Sequence, residues 1–279
     1  MVRMKGEAIP FGKVSLPMYN LPEMQADNAA FWNAMQVELS RLGLDDLPEE
    51  LDFNRRPVPD KIDTDTLFTQ VCGYPLQTIY RGQATLLGAP VYAAEHCNGP
   101  THAGVFIVGA KSKFRRLDDL RGCRYAYNSR HSNSGMNLPR RAIADIASGK
   151  PFFASIAETH SHPGNIERVA KGEIDATSVD NVTYAFVARH RPALAEATRV
   201  LAPTPPSPSI PFVTTVHAPA DLKEALRKAL FRVARAEEWA GVRSGLLLRD
   251  IVPIENESSY TNLMHYESEA RALGYPELR

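Results

Sequence analysis

Nine consecutive residues, Asn128-Ser129-Arg130-His131-Ser132-Asn133-Ser134-Gly135-Met136, bring hydroxyls, amides and a glycine together. They follow the strand-like run Arg124–Tyr127 and open a helical run through Ala142, Ile143 and Ile146. The first turn of a helix carries N–H groups with no acceptor inside the helix. The helix dipole adds about half a positive charge there. Such a turn can seat a phosphate, phosphonate, sulfonate or carboxylate without a lysine. Ser132, Asn133, Ser134 and the N–H of Gly135 are the candidate ligands, with the main-chain amides after residue 131 as the essential donors. The plainer reading of the same residues is an ordinary serine-capped helix.

Other residue types could serve the same chemistry. Tyr19 ends a first strand, Tyr74 follows a glycine in a turn, and Tyr92 sits near a strand end. Ligands bind open α/β sheets at such places, and a tyrosine offers an O–H and a flat apolar face. A structural role in the core is equally open for each. His160 and His162 are two apart and share a face of an extended run. A metal there would need His96 or Cys97 as distant helpers, and no carboxylate or cysteine lies at ligand spacing. Asp180 stands between a strand and a helix, where it could meet a ligand's ammonium group or cap the helix. Arg81 and Arg130 sit near loops and read as solvated. No G-x-S-x-G elbow, P-loop or G-x-G-x-x-G occurs, and no cofactor is expected.

These residues need a frame to position them. Lys13–Tyr19 reads as a strand, and Phe31, Ala34, Met35, Leu39 and Leu42 form the stripe of a helix that begins at Asp27 and stops at Gly43. Strand pieces are expected at 67–72, 85–87 and 90–94, with a turn at Gly73-Tyr74-Pro75. The apolar run 103–110 reads as a buried strand. Strands and helices then alternate through residue 201, which argues for a parallel sheet covered by helices. Pro203, Pro205, Pro206, Pro208 and Pro211 mark a stiff extended crossing. Beyond it lie a strand at 212–216 and an amphipathic helix that Asp221 and Glu224 would open as a capping box. Two further helical stretches are expected near 236–249 and 259–273. Pro139 should tighten or kink the first turn of its helix.

The totals narrow the function. A chain of 279 residues suffices for two lobes. Lys+Arg and Asp+Glu are 32 each, and neither a basic excess nor a basic stripe points to nucleic acid. No apolar run suits membrane insertion. The amino terminus lacks the apolar core of a secretory leader. As written the chain reads as cytoplasmic, or as periplasmic if a leader has been removed. Cys72, Cys97 and Cys123 are widely spaced, and their odd number fits a reducing compartment.

Four patches resemble the phosphate/phosphonate-binding, PhnD-like solute-binding proteins of ABC transporters. They are Leu117-Asp118-Asp119-Leu120-Arg121-Gly122; Ser132-Asn133-Ser134-Gly135, close to that family's Ser-Thr-Ser-Gly loop; Ser161-His162 in place of its Gly-His; and Val169–Ala176 with Asp180 beyond. Asn133 departs from the family's threonine. The resemblance implies an α/β, two-lobed periplasmic-binding-protein type II fold. Each lobe would be a mostly parallel sheet flanked by helices, with two crossing strands, near 103–110 and 205–211, as hinge. Residues 1–104 and 208–279 would form lobe one, and 105–207 lobe two with the anion loop. It further implies His162 as an anion donor and tyrosines from lobe one. The partners would be a small anion held in an interlobe cleft and an ABC permease, with the protein a monomer. Two alternatives stay open: a cytoplasmic enzyme of the same fold acting on a carboxylic acid, as in menaquinone pathways, and a cytoplasmic anion sensor.

Overall fold

A computed structural model describes residues 2–4, 7–254 and 257–279. The chain divides into two compact units, residues 1–93 with 208–257 and residues 94–207 with 258–279. Unit one opens with strands β1 (Val2–Met4), β2 (Glu7–Ile9) and β3 (Lys13–Val14), helix α1 (Gln25–Arg41) and strands β4 (Leu44–Asp45) and β5 (Thr66–Gln70). Helix α2 (Gly73–Gln77) and strand β6 (Ala84–Tyr92) follow. Unit two contains β7 (Thr101–Gly109), β8 (Arg124–Tyr127), α3 (Leu138–Ala147), β9 (Ser155–Glu158) and α4 (His162–Ala170). It continues with β10 (Ala176–Asp180), α5 (Asn181–His190), α6 (Pro192–Glu196) and β11 (Thr198–Pro208). The chain returns to unit one for β12 (Phe212–Thr215), α7 (Ala220–Arg235), α8 (Ala240–Gly245) and β13 (Leu248–Val252). It ends in unit two with α9 (Ser258–Thr261) and α10 (Leu263–Ala272).

Unit one is built on a sheet of order β13-β6-β12-β5-β3, with a small β2-β1-β4 sheet beside it. Its three central pairings are antiparallel and only β3 runs parallel to its neighbour β5, so this sheet is not the mostly parallel one expected. Antiparallel pairing follows from order: β12 arrives late in the chain and inserts between β5 and β6. The α1 stripe buries Phe31, Trp32, Ala34, Met35 and Leu39, and α7 buries Leu222, Leu226, Ala229, Leu230 and Val233. Phe31, Phe68 and Phe212 stack at centroid distances of 5.4–6.5 Å, which joins helix and sheet.

Unit two has the sheet order β11-β7-β10-β8-β9. Strands β10, β8 and β9 are parallel, while β7 runs antiparallel to β10. Its core gathers Phe106, Val108, Tyr125, Ile143, Phe152, Ala270 and Tyr275. The last two come from the C-terminal tail, which the sequence assigned to lobe one. Main-chain N–H groups of Phe152 and Phe153 donate to the carbonyl of Arg279, so the tail also caps backbone groups of this unit.

Several local expectations change. Residues 103–110 form an interior strand of unit two rather than a crossing; the chain passes between units at 93/94, 207/208 and 257/258. Gly73-Tyr74-Pro75 opens helix α2, and residues 84–92 are one strand. Lys13–Tyr19 is paired as a strand only at Lys13–Val14. Pro219 starts α7 early, so Asp221 lies inside the helix and Glu224 pairs with Lys228 at 3.6 Å. Residues 248–252 form a strand because Leu248 and Ile251 pair with β6. None of Cys72, Cys97 and Cys123 is in a disulfide. No helix among the described residues is long and apolar enough to cross a membrane.

Because Tyr275 is fully buried and bonded through its hydroxyl to Arg279 at 2.6 Å, Tyr275→Ala should destabilise unit two by about 3 kcal/mol. Urea unfolding followed by far-UV circular dichroism measures this. A loss under about 1 kcal/mol would show the tail to be an accessory.

Candidate functional site

Strands β8, β9 and β10 are parallel neighbours, and each is followed at its carboxyl end by a helical start. After β8 comes the Ser132 turn, after β9 the Ser161 cap of α4, and after β10 the Asp180 cap of α5. Parallel strands place these ends on one edge of the sheet, so three sets of helix N-terminal dipoles gather there.

The turn after β8 is a π-helical loop, Asn133–Asn137, that leads into α3. Pro139, the second residue of α3, has no N–H to close a tighter turn. The Leu138 N–H reaches back to the Asn133 carbonyl, so the turn widens where tightening was expected. Ser132 Oγ accepts from the Gly135 N–H at 2.9 Å. That bond occupies the donor the sequence had assigned to the anion, and leaves the Ser132 hydroxyl proton to donate elsewhere. The N–H groups of Asn133 and Ser134 stand at the first positions of the turn, ahead of any acceptor inside it. Ser132, Asn133 and Ser134 are each at most 3% exposed.

The side chain of Asn133 is engaged within unit two. Its Nδ2 donates to Ser207 Oγ at 2.7 Å, and its Oδ1 accepts from Asn137 Nδ2 at 3.1 Å. Asn137 also donates to the Leu263 carbonyl and accepts from Arg140 Nη2 at 2.7 Å. The side chain of Asn133 thereby ties the turn to β11 and, through Asn137, to the tail.

Ser134 faces the other way. Its Oγ lies 3.3 Å from His162 Nε2, and its carbonyl accepts from Ser178 Oγ at 2.7 Å. Burial pushes the His162 pKa down to about 4, against an opposing pull from the Asp180 charge. The ring is therefore neutral at pH 7, and its enclosed Nδ1 makes no hydrogen bond. Two glycines allow these contacts. A Cβ at Gly135 would fall 2.0 Å from Asn128 Oδ1, and one at Gly104 would fall 3.1 Å from the Ser134 carbonyl.

Asp180 caps α5, its Oδ1 accepting from the N–H groups of Val182 and Thr183 at 2.9 and 3.1 Å. Its Oδ2 lies 2.5 Å from His102 Nδ1, and both side chains are almost fully buried. Burial works against ionisation of Asp180, but the His102 ring and the Thr183 N–H hold its pKa below the usual carboxylate range. The sequence reading missed His102. Its only signal was a histidine one residue before the apolar run that forms β7.

Tyr19, Tyr74 and Tyr92 lie in unit one and are buried. Tyr19 and Tyr92 meet edge to face at 5.4 Å, and Gln70 Nε2 donates to the Tyr92 hydroxyl at 3.4 Å. Tyr74 lies in α2. Arg130 is exposed against Glu158. Among the described residues no group of three His, Cys, Asp or Glu side chains is placed to hold a metal ion.

A family model described as "ABC transporter, phosphonate, periplasmic substrate-binding protein" matches residues 77–260. No curated protein matches the sequence. A binding-protein component of an ABC phosphonate transporter from Pseudomonas aeruginosa is similar in structure. Its TM-score is 0.72 at 13% identity, covering 95% of this chain and 97% of that one. PhnD1 from Prochlorococcus marinus, in complex with methylphosphonate, gives 0.66 at 15% identity, covering 94% and 99%. A Xanthomonas citri protein bound to ATP gives 0.68 at 15% identity, covering 95% and 98%. At such identities the similarity shows the fold, that of type II periplasmic-binding proteins.

Two outcomes test the geometry. Gly135→Ala should destabilise unit two by about 2 kcal/mol or more, since the new methyl meets Asn128; unfolding at wild-type urea concentration would contradict it. In the unfolded chain His162 titrates near 6.5, and in the folded protein near 4. Between these values the unfolded chain binds more protons. Stability should therefore fall as pH drops from about 6.5 to about 4, by up to about 3 kcal/mol from this group. His162→Gln should flatten that limb in urea titrations at pH 7 and pH 4.5, and an unchanged slope would refute the assignment.

Proposed function

Because the chain belongs to the family of phosphonate periplasmic substrate-binding proteins of ABC transporters, we propose that it binds a small oxyanion, phosphonate or phosphate, at the Ser132–Gly135 turn. The observation that carries this reading is Ser134: a buried hydroxyl beside a neutral histidine, on a turn whose first N–H groups precede any helical acceptor. Ser132 Oγ, Ser134 Oγ and the N–H groups of Asn133 and Ser134 would donate to the anion's oxygens. The charge would then be met by fixed dipoles, which cost little reorganisation. His162 would add a donor or acceptor through whichever nitrogen faces the ligand. Gly135 supports the site by fitting against Asn128, and Asp180 by holding the start of α5.

The ligand would be passed to an ABC permease, and the protein would work as a monomer in the periplasm. The family is one of transport components rather than enzymes, so the cytoplasmic enzyme and sensor alternatives draw no support from it. Methylphosphonate is bound by a protein that shares this fold, and it is the first probe to use.

Isothermal titration with methylphosphonate and inorganic phosphate tests the proposal. Ser134→Ala should weaken binding 10- to 100-fold, the worth of one hydrogen bond to a charged group, while keeping wild-type circular dichroism. Unchanged affinity in a folded Ser134→Ala variant would remove the turn from the site.

A further inference from the structure

Resting on that anion-site reading, we infer that His102 is a specificity-determining residue: it occupies Asp180 from within the fold and denies the site a carboxylate for a cationic ligand group. The ligand class this implies is an oxyanion whose organic part is small and uncharged, with aminoalkyl derivatives disfavoured.

The argument starts from where Asp180 sits. It ends β10, directly opposite Gly104 of β7, and the bare face of Gly104 abuts the Ser134 carbonyl. Two residues earlier on the same strand, Ser178 bonds that carbonyl. Asp180 is also close enough to be felt electrostatically by His162, which touches Ser134. A free carboxylate at this place would be a ready partner for an ammonium group on a ligand seated at the turn.

It is not free. One oxygen takes two N–H groups of α5, and the other lies 2.5 Å from His102 Nδ1. His102 is held in place by its neighbours. The Ala103 N–H donates to Asn181 Oδ1, and the Gly104 N–H donates to Thr204 Oγ1 at 2.9 Å. Its side chain is 2% exposed, so an incoming cation would have to displace a packed ring. The nearby His162 is neutral and offers no negative charge. An ammonium group brought to this end of the site would lose its water without gaining a counter-ion, which is strongly unfavourable. Specificity here is a built-in mismatch against the wrong ligand.

Propylphosphonate and 2-aminoethylphosphonate form the test pair, since they differ by a methyl in place of an ammonium. Titration calorimetry on the wild-type protein should show propylphosphonate binding at least 10-fold tighter. In His102→Ala, which bares Asp180, the ratio should fall at least 10-fold. In His102→Gln, whose amide can still occupy Asp180, it should stay within a few-fold of wild type. Equal or tighter binding of 2-aminoethylphosphonate by the wild-type protein overturns the inference without need of any variant. So does an unchanged ratio in a cooperatively folding His102→Ala protein. Failure of both phosphonates to bind wild type overturns the anion-site reading itself, and this inference with it.

Discussion

One buried hydrogen bond, from Ser178 Oγ to the carbonyl of Ser134 at 2.7 Å, fixes the turn after β8 against the strand beside it. A main-chain carbonyl at that depth must find a donor, and the donor comes from the face of β10 that looks at the turn. Because the carbonyl is held inward, the Ser134 hydroxyl is left to point at His162. Gly104 makes the approach possible by leaving no side chain between β7 and the turn. Asn133 and Asn137 hold the opposite flank through β11 and the tail.

The electrostatics follow from the same packing. His162 is enclosed and stays neutral, so it brings no fixed cation to the turn. Asp180 keeps its charge because two N–H groups and His102 meet it. What remains at the Ser132–Ser134 end of the turn is a set of neutral donors at the starts of helical segments, with the Arg140 guanidinium at the far end on Asn137. Such a set suits an anion whose charge is spread over several oxygens, because each donor takes part of it. A mobile lysine would add affinity at a greater cost in side-chain order.

Much of this was legible in the sequence, for identifiable reasons. The Ser132–Gly135 turn was readable as a strand-to-helix turn because serine and glycine at this spacing suit a helix cap, which Ser132 forms. The α1 and α7 stripes were readable from their 3.6-residue spacing, and both are buried except at Leu42, which follows the last turn of α1 and is 43% exposed. Other features depend on contacts between distant residues. The donor role of Gly135 was lost to Ser132, a matter of loop geometry that local sequence leaves undetermined. The engagement of the Asn133 side chain with Ser207 and Asn137 was not readable, because those partners are brought there by the fold. His102 was passed over because a histidine at the start of an apolar strand looks like an exposed end. The mixed pairing in unit one comes from β12 inserting between earlier strands, which alternation of elements does not encode. The tail's place in unit two rests on Tyr275 and Arg279, residues that follow the last helix and carry no pattern of their own.

The central claim is that the N–H groups of Asn133 and Ser134 are the donors that receive the anion. Proton–nitrogen NMR during titration with methylphosphonate reads this directly. The account predicts that the Asn133 and Ser134 amide protons move strongly downfield on saturation, while Gly135, already bonded to Ser132, moves much less. Saturable binding with those two resonances unmoved would contradict it.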